Sequence, residues 1–205
     1  MTEEKEKKPE DIKKKAEALK CPVGKALYYM EEFLSGPMCG RCFPCSMGAY
    51  EARERLKKVT DGRGAEADIR ALRRIALYMA DASLCKKGKD TARFLLDWMD
   101  TGVYDEHVKG RCPAVECKGL IKYMIIPGKC VMCGDCKDAC KFDAIAGEKK
   151  IAGGRAPHLS GYLPFEIRQV RCTKCGECIK VCPAEAIEAG SVTPAENIVA
   201  TAGTR

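Results

Sequence analysis

The chain twice spells C-x2-C-x2-C-x3-C, first as Cys130, Cys133, Cys136 and Cys140, then as Cys172, Cys175, Cys178 and Cys182. The neighbouring residues repeat too: GKCVMCGDCKDACKFDAIAG at 128–147 aligns with VRCTKCGECIKVCPAEAIEAG at 170–190. Three cysteines two apart wrap a loop around three corners of a cuboidal iron–sulfur cluster. The short helix after each loop carries its last cysteine toward the neighbouring cluster. The spacing therefore assigns Cys130, Cys133, Cys136 and Cys182 to one [4Fe–4S] cluster, and Cys172, Cys175, Cys178 and Cys140 to a second. Zinc knuckles or disulfides do not explain two such runs in tandem. Lys141 follows Cys140 where Pro183 follows Cys182. That difference predicts a looser first turn and a lysine that raises the potential of the cluster fed by Cys140.

This region resembles the two-cluster bacterial ferredoxins. With fifteen cysteines among 205 residues, few aromatics and an odd cysteine count, a metal-stapled fold is expected rather than a disulfide framework. The first twenty residues, MTEEKEKKPEDIKKKAEALK, hold no apolar signal region, and no run of about 18 apolar residues occurs. A cytoplasmic chain without a membrane span is expected. The formal charge of +7 suggests nucleic acid at first sight. Three clusters at about −2 each with their thiolates, and a zinc at about −1, would offset it almost completely.

Upstream, apolar residues recur at helical spacing. Helices are expected at 24–35, 43–59, 65–82 and 89–100, forming a small bundle with Tyr28, Met30, Met79 and Trp98 in its core. The fold class is α+β. The expected divisions are a charged tail or marginal helix at 1–20, a helical bundle at 21–111, a connector at 112–128, a ferredoxin-like domain at 129–190, and a tail at 191–205. Between the repeats, 148–169 is expected to hold a hairpin and a loop.

GPMCGRCFPCSMG at 36–48 supplies three more cysteines two apart, Cys39, Cys42 and Cys45. A fourth ligand must come from Cys85 or Cys21, and two intervening helices can return Cys85 to the loop. CGRCFPC, two helices and SLCKKG resemble the iron–sulfur domain of the NADH-oxidising flavoprotein subunit of respiratory complex I and its relatives in NAD-linked hydrogenases and formate dehydrogenases. The resemblance implies a third [4Fe–4S] cluster on Cys39, Cys42, Cys45 and Cys85. The family's C-R-E-G continuation is replaced by Cys45-Ser46-Met47-Gly48. Joined to the C-terminal repeat, the bundle is similar to the C-terminal half of the beta subunit of electron-bifurcating [FeFe]-hydrogenases, over about residues 20–190.

His107, Cys112 and Cys117 stand as H-x4-C-x4-C, and Cys21 is the one other cysteine unassigned. Three thiolates and an imidazole form a closed tetrahedral zinc set. The alternative is free thiols, or a redox disulfide, beside an exposed histidine. The resemblance implies zinc on Cys21, His107, Cys112 and Cys117, tying the bundle shut at the root of a mobile ferredoxin arm. His158, in a polar loop, is expected at the surface.

No Gly-rich loop after a strand marks a Rossmann or P-loop site. Any flavin is therefore expected on another chain. The expected function is an iron–sulfur electron-transfer subunit. It would relay single electrons between a flavin- and NAD(P)H-binding partner and a ferredoxin or catalytic subunit, in an electron-bifurcating or NAD(P)-linked complex. The alternatives are a wiring subunit of a non-bifurcating dehydrogenase, or a zinc module contacting nucleic acid through ARERLKK at 52–58.

Overall fold

The computed structural model describes residues 8–149 and 165–191. These fall into two compact units, 8–120 and 121–191.

The first unit is helical. Its elements are α1 (Pro9–Glu17), α2 (Pro22–Ser35), α3 (Phe43–Thr60), α4 (Glu66–Ala82), α5 (Lys86–Leu96), a 3-10 turn (Met99–Thr101) and α6 (Val103–Val108). Prolines at the starts of α1, α2 and α3 sit where a missing N–H costs nothing. Each of α1 to α4 packs on the next. Their apolar stripes meet in one core around Met30, Phe33, Leu56, Leu72, Met79 and Leu95, all at most 1% exposed. Each of these side chains contributes roughly 1.5–3 kcal/mol by leaving water. Met30 and Met79 are core residues, and Tyr28 and Trp98 pack against the core half-buried. Asp68 ties α4 to α3, with one carboxylate oxygen 2.7 Å from Arg55 while the other accepts the Ala65 N–H at 3.0 Å.

The four expected helices are present with boundaries shifted by a few residues. Of the two readings of 1–20, tail or marginal helix, the helix holds over 9–17, which form α1. Ile12 and Ala16, one turn apart, are 3% and 0% exposed in the core. Two small apolar positions anchor a helix whose remaining residues are nearly all charged.

The second unit holds β1 (Ile121–Ile125), α7 (Asp135–Asp138), β2 (Ile145–Ala146), β3 (Glu166–Ile167), α8 (Glu177–Lys180) and β4 (Ile187–Ser191). β1 pairs antiparallel with β4, from Ile121 opposite Ser191 to Ile125 opposite Ile187. β2 pairs antiparallel with β3, Ile145 opposite Ile167. The connector expected at 112–128 is thus divided, because 121–125 form a strand of this unit. The segment expected as a hairpin and loop lies largely outside the described residues, as do His158 and 192–205. No helix among the described residues is long and apolar enough to cross a membrane.

Candidate metal centres

The repeat of the second unit extends to its backbone. Met132 and Lys174, each between the first two cysteines of a motif, have φ of 58° and 57°. Gly134 and Gly176, after the second cysteine, have φ of 84° and 82°. Asp143 and Glu185, three residues past the last cysteine, have φ of 47° and 46°. Left-handed residues turn successive N–H groups toward one side, which suits an anionic guest. Only glycine takes such φ values without strain. Gly134 and Gly176 therefore initiate α7 and α8 directly over the loop they close.

Two small cavities result. Cys130, Cys133, Cys136 and Cys182 line the first. Cys172, Cys175, Cys178 and Cys140 line the second. The last cysteine of each motif thus faces the cavity of the other. Its sulfur accepts a backbone N–H, Ala144 to Cys140 at 3.4 Å and Ala186 to Cys182 at 3.3 Å. Burial pushes the Cys136 thiol up to about 11, helped by the charges of Cys133, Cys130 and Cys182. Burial, then Cys172 and Cys175, raises Cys178. Thiols that repel one another's charge are at ease only around a cationic core. The donor set, the left-handed turns of the loops and the cavities all fit iron–sulfur clusters. The turn after Cys140 carries the same hydrogen bonds as the turn after Cys182. Lys141 in place of proline therefore alters none of them.

In the bundle, Cys42 and Cys85 are the N-cap residues of α3 and α5, and Cys45 lies in the first turn of α3. Two helix N-termini thus face the thiols, where their partial positive charge favours thiolate. A backbone hydrogen bond from Leu84 lowers the Cys42 thiol. Burial pushes Cys45 up to about 11, with the charges of Cys42, Cys85 and Cys39 adding to the effect. These four thiols therefore sense one another. Cys39 and Cys85 are exposed, and Cys42 and Cys45 are buried. Gly88, in α5, is what lets Cys45 approach. A Cβ there would stand 2.9 Å from the Ser83 side chain and 3.1 Å from Cys45 Sγ. Gly88→Val is expected to displace Cys45 and cost about four irons per chain, read by iron analysis, while the chain stays helical by circular dichroism.

The fourth group is the tightest. Cys21, His107, Cys112 and Cys117 are all buried, and their donor atoms lie within 4.8 Å of one another. Cys21 Sγ is 3.1 Å from His107 Nε2 and 3.5 Å from Cys117 Sγ, and Cys117 Sγ is 3.4 Å from Nε2. A tetrahedron with metal–sulfur bonds of ~2.3 Å has sulfur–sulfur edges of about 3.8 Å. The observed spacing is close to that and far beyond a disulfide bond of ~2.05 Å. His107 Nδ1 lies 2.8 Å from the Val103 carbonyl, so Nδ1–H donates there and Nε2 is the ring nitrogen that faces the sulfurs. Such an outer hydrogen bond orients a metal-binding imidazole.

Burial opposes charge on His107. Hydrogen bonds with Cys112 and Cys21 outweigh it and bring the imidazole up to about 10. Hydrogen bonds from Cys117 and Cys21 hold Cys112 far down, and the same sharing drives Cys117 far up. The site holds its negative charge at short range, as a divalent cation requires.

Glu116 was missed in the sequence. Its carboxylate accepts the Lys20 N–H at 2.9 Å and the Cys21 N–H at 2.7 Å, pinning the start of α2 beside Cys117. Tyr104, 1% exposed, sits against the site; its hydroxyl has no partner among the described residues, and burial followed by the Cys21 charge raises its pKa. No local signal in the sequence marks either residue, because both act across long separations.

Comparison with known proteins matches an iron–sulfur region in each of the two units. Residues 25–102 match the NADH-ubiquinone oxidoreductase-F iron–sulfur binding region, and residues 129–186 match the 4Fe-4S dicluster domain. The chain is 35% identical over 133 residues to the NADP-reducing hydrogenase subunit HndC of Solidesulfovibrio fructosivorans, covering 63% of this chain and 27% of that protein. It is 36% identical over 75 residues to the NADP(+)-dependent formate dehydrogenase subunit beta of Moorella thermoacetica, covering 37% of this chain and 11% of that one. Over 94 residues it is 31% identical to the F component of the NADH-quinone oxidoreductase of Streptomyces coelicolor, covering 44% and 21%. The chain spans little more than a quarter of the length of these relatives at most. Cys21, His107, Cys112 and Cys117 lie outside both matched spans.

Proposed function

From a chain that joins an NADH-ubiquinone oxidoreductase-F iron–sulfur region to a 4Fe-4S dicluster domain, we infer an electron-transfer subunit with three [4Fe–4S] clusters and one zinc. It relays single electrons between a flavin- and NAD(P)H-binding partner and a ferredoxin or catalytic subunit, in an electron-bifurcating or other NAD(P)-linked complex of the cytoplasm. The observation that carries this reading is the crossed lining of the two cavities, each with three cysteines from one motif and the fourth from the other. Bound clusters supply one-electron carriers; the chain supplies their positions. Four cysteines per cluster leave no open position for a substrate.

The bundle cluster is held by Cys39, Cys42, Cys45 and Cys85, and zinc by Cys21, His107, Cys112 and Cys117. Zinc has no redox chemistry and closes its tetrahedron with three thiolates and one imidazole. It ties the start of α2 to the residues that follow α6, and the ferredoxin-like domain follows in sequence. Leu84 and Phe43, neighbours of Cys85 and Cys42, are 81% and 71% exposed. Large apolar side chains left in water beside ligand thiols mark the face that meets the flavin-bearing partner.

An EPR-monitored redox titration of the anaerobically loaded chain tests the relay. Three one-electron steps without any flavin signal are expected. A bound flavin on the chain, or fewer steps, would contradict it.

A further inference from the structure

The two cavities of the second unit are copies of one another through the internal repeat. Their aliphatic linings match position by position: Ile125 corresponds to Ile167, Ala186 to Ala144, and Ile187 to Ile145. Two corresponding positions differ by polarity. Phe165 faces the first cavity where Tyr123 faces the second, and Val131 faces the first where Thr173 faces the second. The cavity of Cys130, Cys133, Cys136 and Cys182 therefore has no hydroxyl in its lining. The residues lining the cavity of Cys172, Cys175, Cys178 and Cys140 include two that carry one, Tyr123 and Thr173.

The Tyr123 hydroxyl is well placed. Its oxygen stands 3.6 Å from the point where a Cβ on Gly176 would lie, between Cys175 and Cys178. Its ring comes from β1, two residues before Ile125, so a single strand face serves both cavities. β1 lies outside the dicluster match at 129–186. Charge differs as well, since Lys174 and Lys141 lie beside the second cavity's cysteines where Met132 and Pro183 stand at the first, but these charges are common to the wild type and the hydroxyl variants and cancel in their comparison. Glu177 lines the second cavity but is paired with Lys180 at 2.7 Å, and Lys149 near the first is paired with Asp138. Phe142 covers the second cavity where Ala184 covers the first. Excluding water in that way works against reduction, so it opposes the hydroxyls rather than mimicking them.

We propose that the hydroxyls of Tyr123 and Thr173 raise the reduction potential of the cluster held by Cys172, Cys175, Cys178 and Cys140 relative to its twin, and so bias electrons toward it. Reduction adds negative charge to a cluster, and a nearby O–H dipole stabilises that charge. The inference rests on the three-cluster reading above.

The test is an EPR-monitored potentiometric titration of the anaerobically loaded full chain, with variants that copy the twin cavity. Tyr123→Phe with Thr173→Val installs the two residues already present on the other side. The equilibrium for reducing that cluster should weaken by about tenfold, which is 59 mV for one electron, with the other clusters unmoved. Phe165→Tyr should shift the first cavity's cluster the opposite way. A double variant whose clusters all keep their potentials, or all move together, would overturn the inference. If the wild type titrates without two clusters in this unit, the three-cluster reading itself fails.

Discussion

His107→Ala is expected to release the zinc while leaving iron and sulfide near their normal content. On the proposed ligand set the imidazole offers Nε2 beside three thiolates, and alanine offers no donor. The site joins α2 to residues 96 positions away, through the Cys21–Cys117 contact. Structural zinc contributes about 10–16 kcal/mol in small zinc-folded peptides. Losing even a few kcal/mol of that should lower the melting temperature of the bundle by more than about 10 °C. His107→Cys supplies a fourth thiolate and should retain zinc, which separates loss of a ligand from loss of packing.

The pH dependence has a definite sign. In the metal-free chain His107 is raised to about 10. Its charge then contributes stability that is fully present below the unfolded value of ~6.5 and is lost as pH rises through the folded one. Zinc needs the neutral ring, so binding at neutral pH must expel that proton, and zinc affinity should climb with pH up to about 10. Calorimetry in buffers of different ionisation enthalpy would measure the protons released. Zinc uptake with no proton release, or an affinity that falls between pH 6 and 9, would count against His107 as a ligand.

Cys182→Ala has the second largest expected effect, because it should remove the cluster of the other motif. Iron counts in double variants show this directly. Cys182→Ala with Cys133→Ala should lose about four irons, no more than either alone, because both serve one cluster. Cys182→Ala with Cys175→Ala should lose about eight. If instead the pair Cys182 and Cys175 behaved as one unit, each motif would hold its own cluster and the crossed lining would carry no weight.

Much of this was legible in the sequence because its signals are local. Cysteine spacing fixes the loops of the two motifs, and helical periodicity fixes α2 to α5. Long-range features were not legible. β1 and β4 pair residues at opposite ends of the second unit, and Ile121 opposite Ser191 follows from no local pattern. α1 could be read only as a tail or a marginal helix, because only Ile12 and Ala16 of its residues are buried. Glu116 carries no motif, and its role is visible only once Lys20 and Cys21 lie beside it. The two hydroxyls at Tyr123 and Thr173 were in principle readable, since aligning the repeats sets Tyr123 against Phe165. Their meaning required knowing which residues face which cavity.

The most direct test is an elemental analysis of the anaerobically purified chain for iron, acid-labile sulfide and zinc. Three cubane clusters and one closed tetrahedral site predict about twelve irons, about twelve sulfides and about one zinc per chain. A preparation with about four zincs and no sulfide would contradict the relay and make the chain a zinc protein.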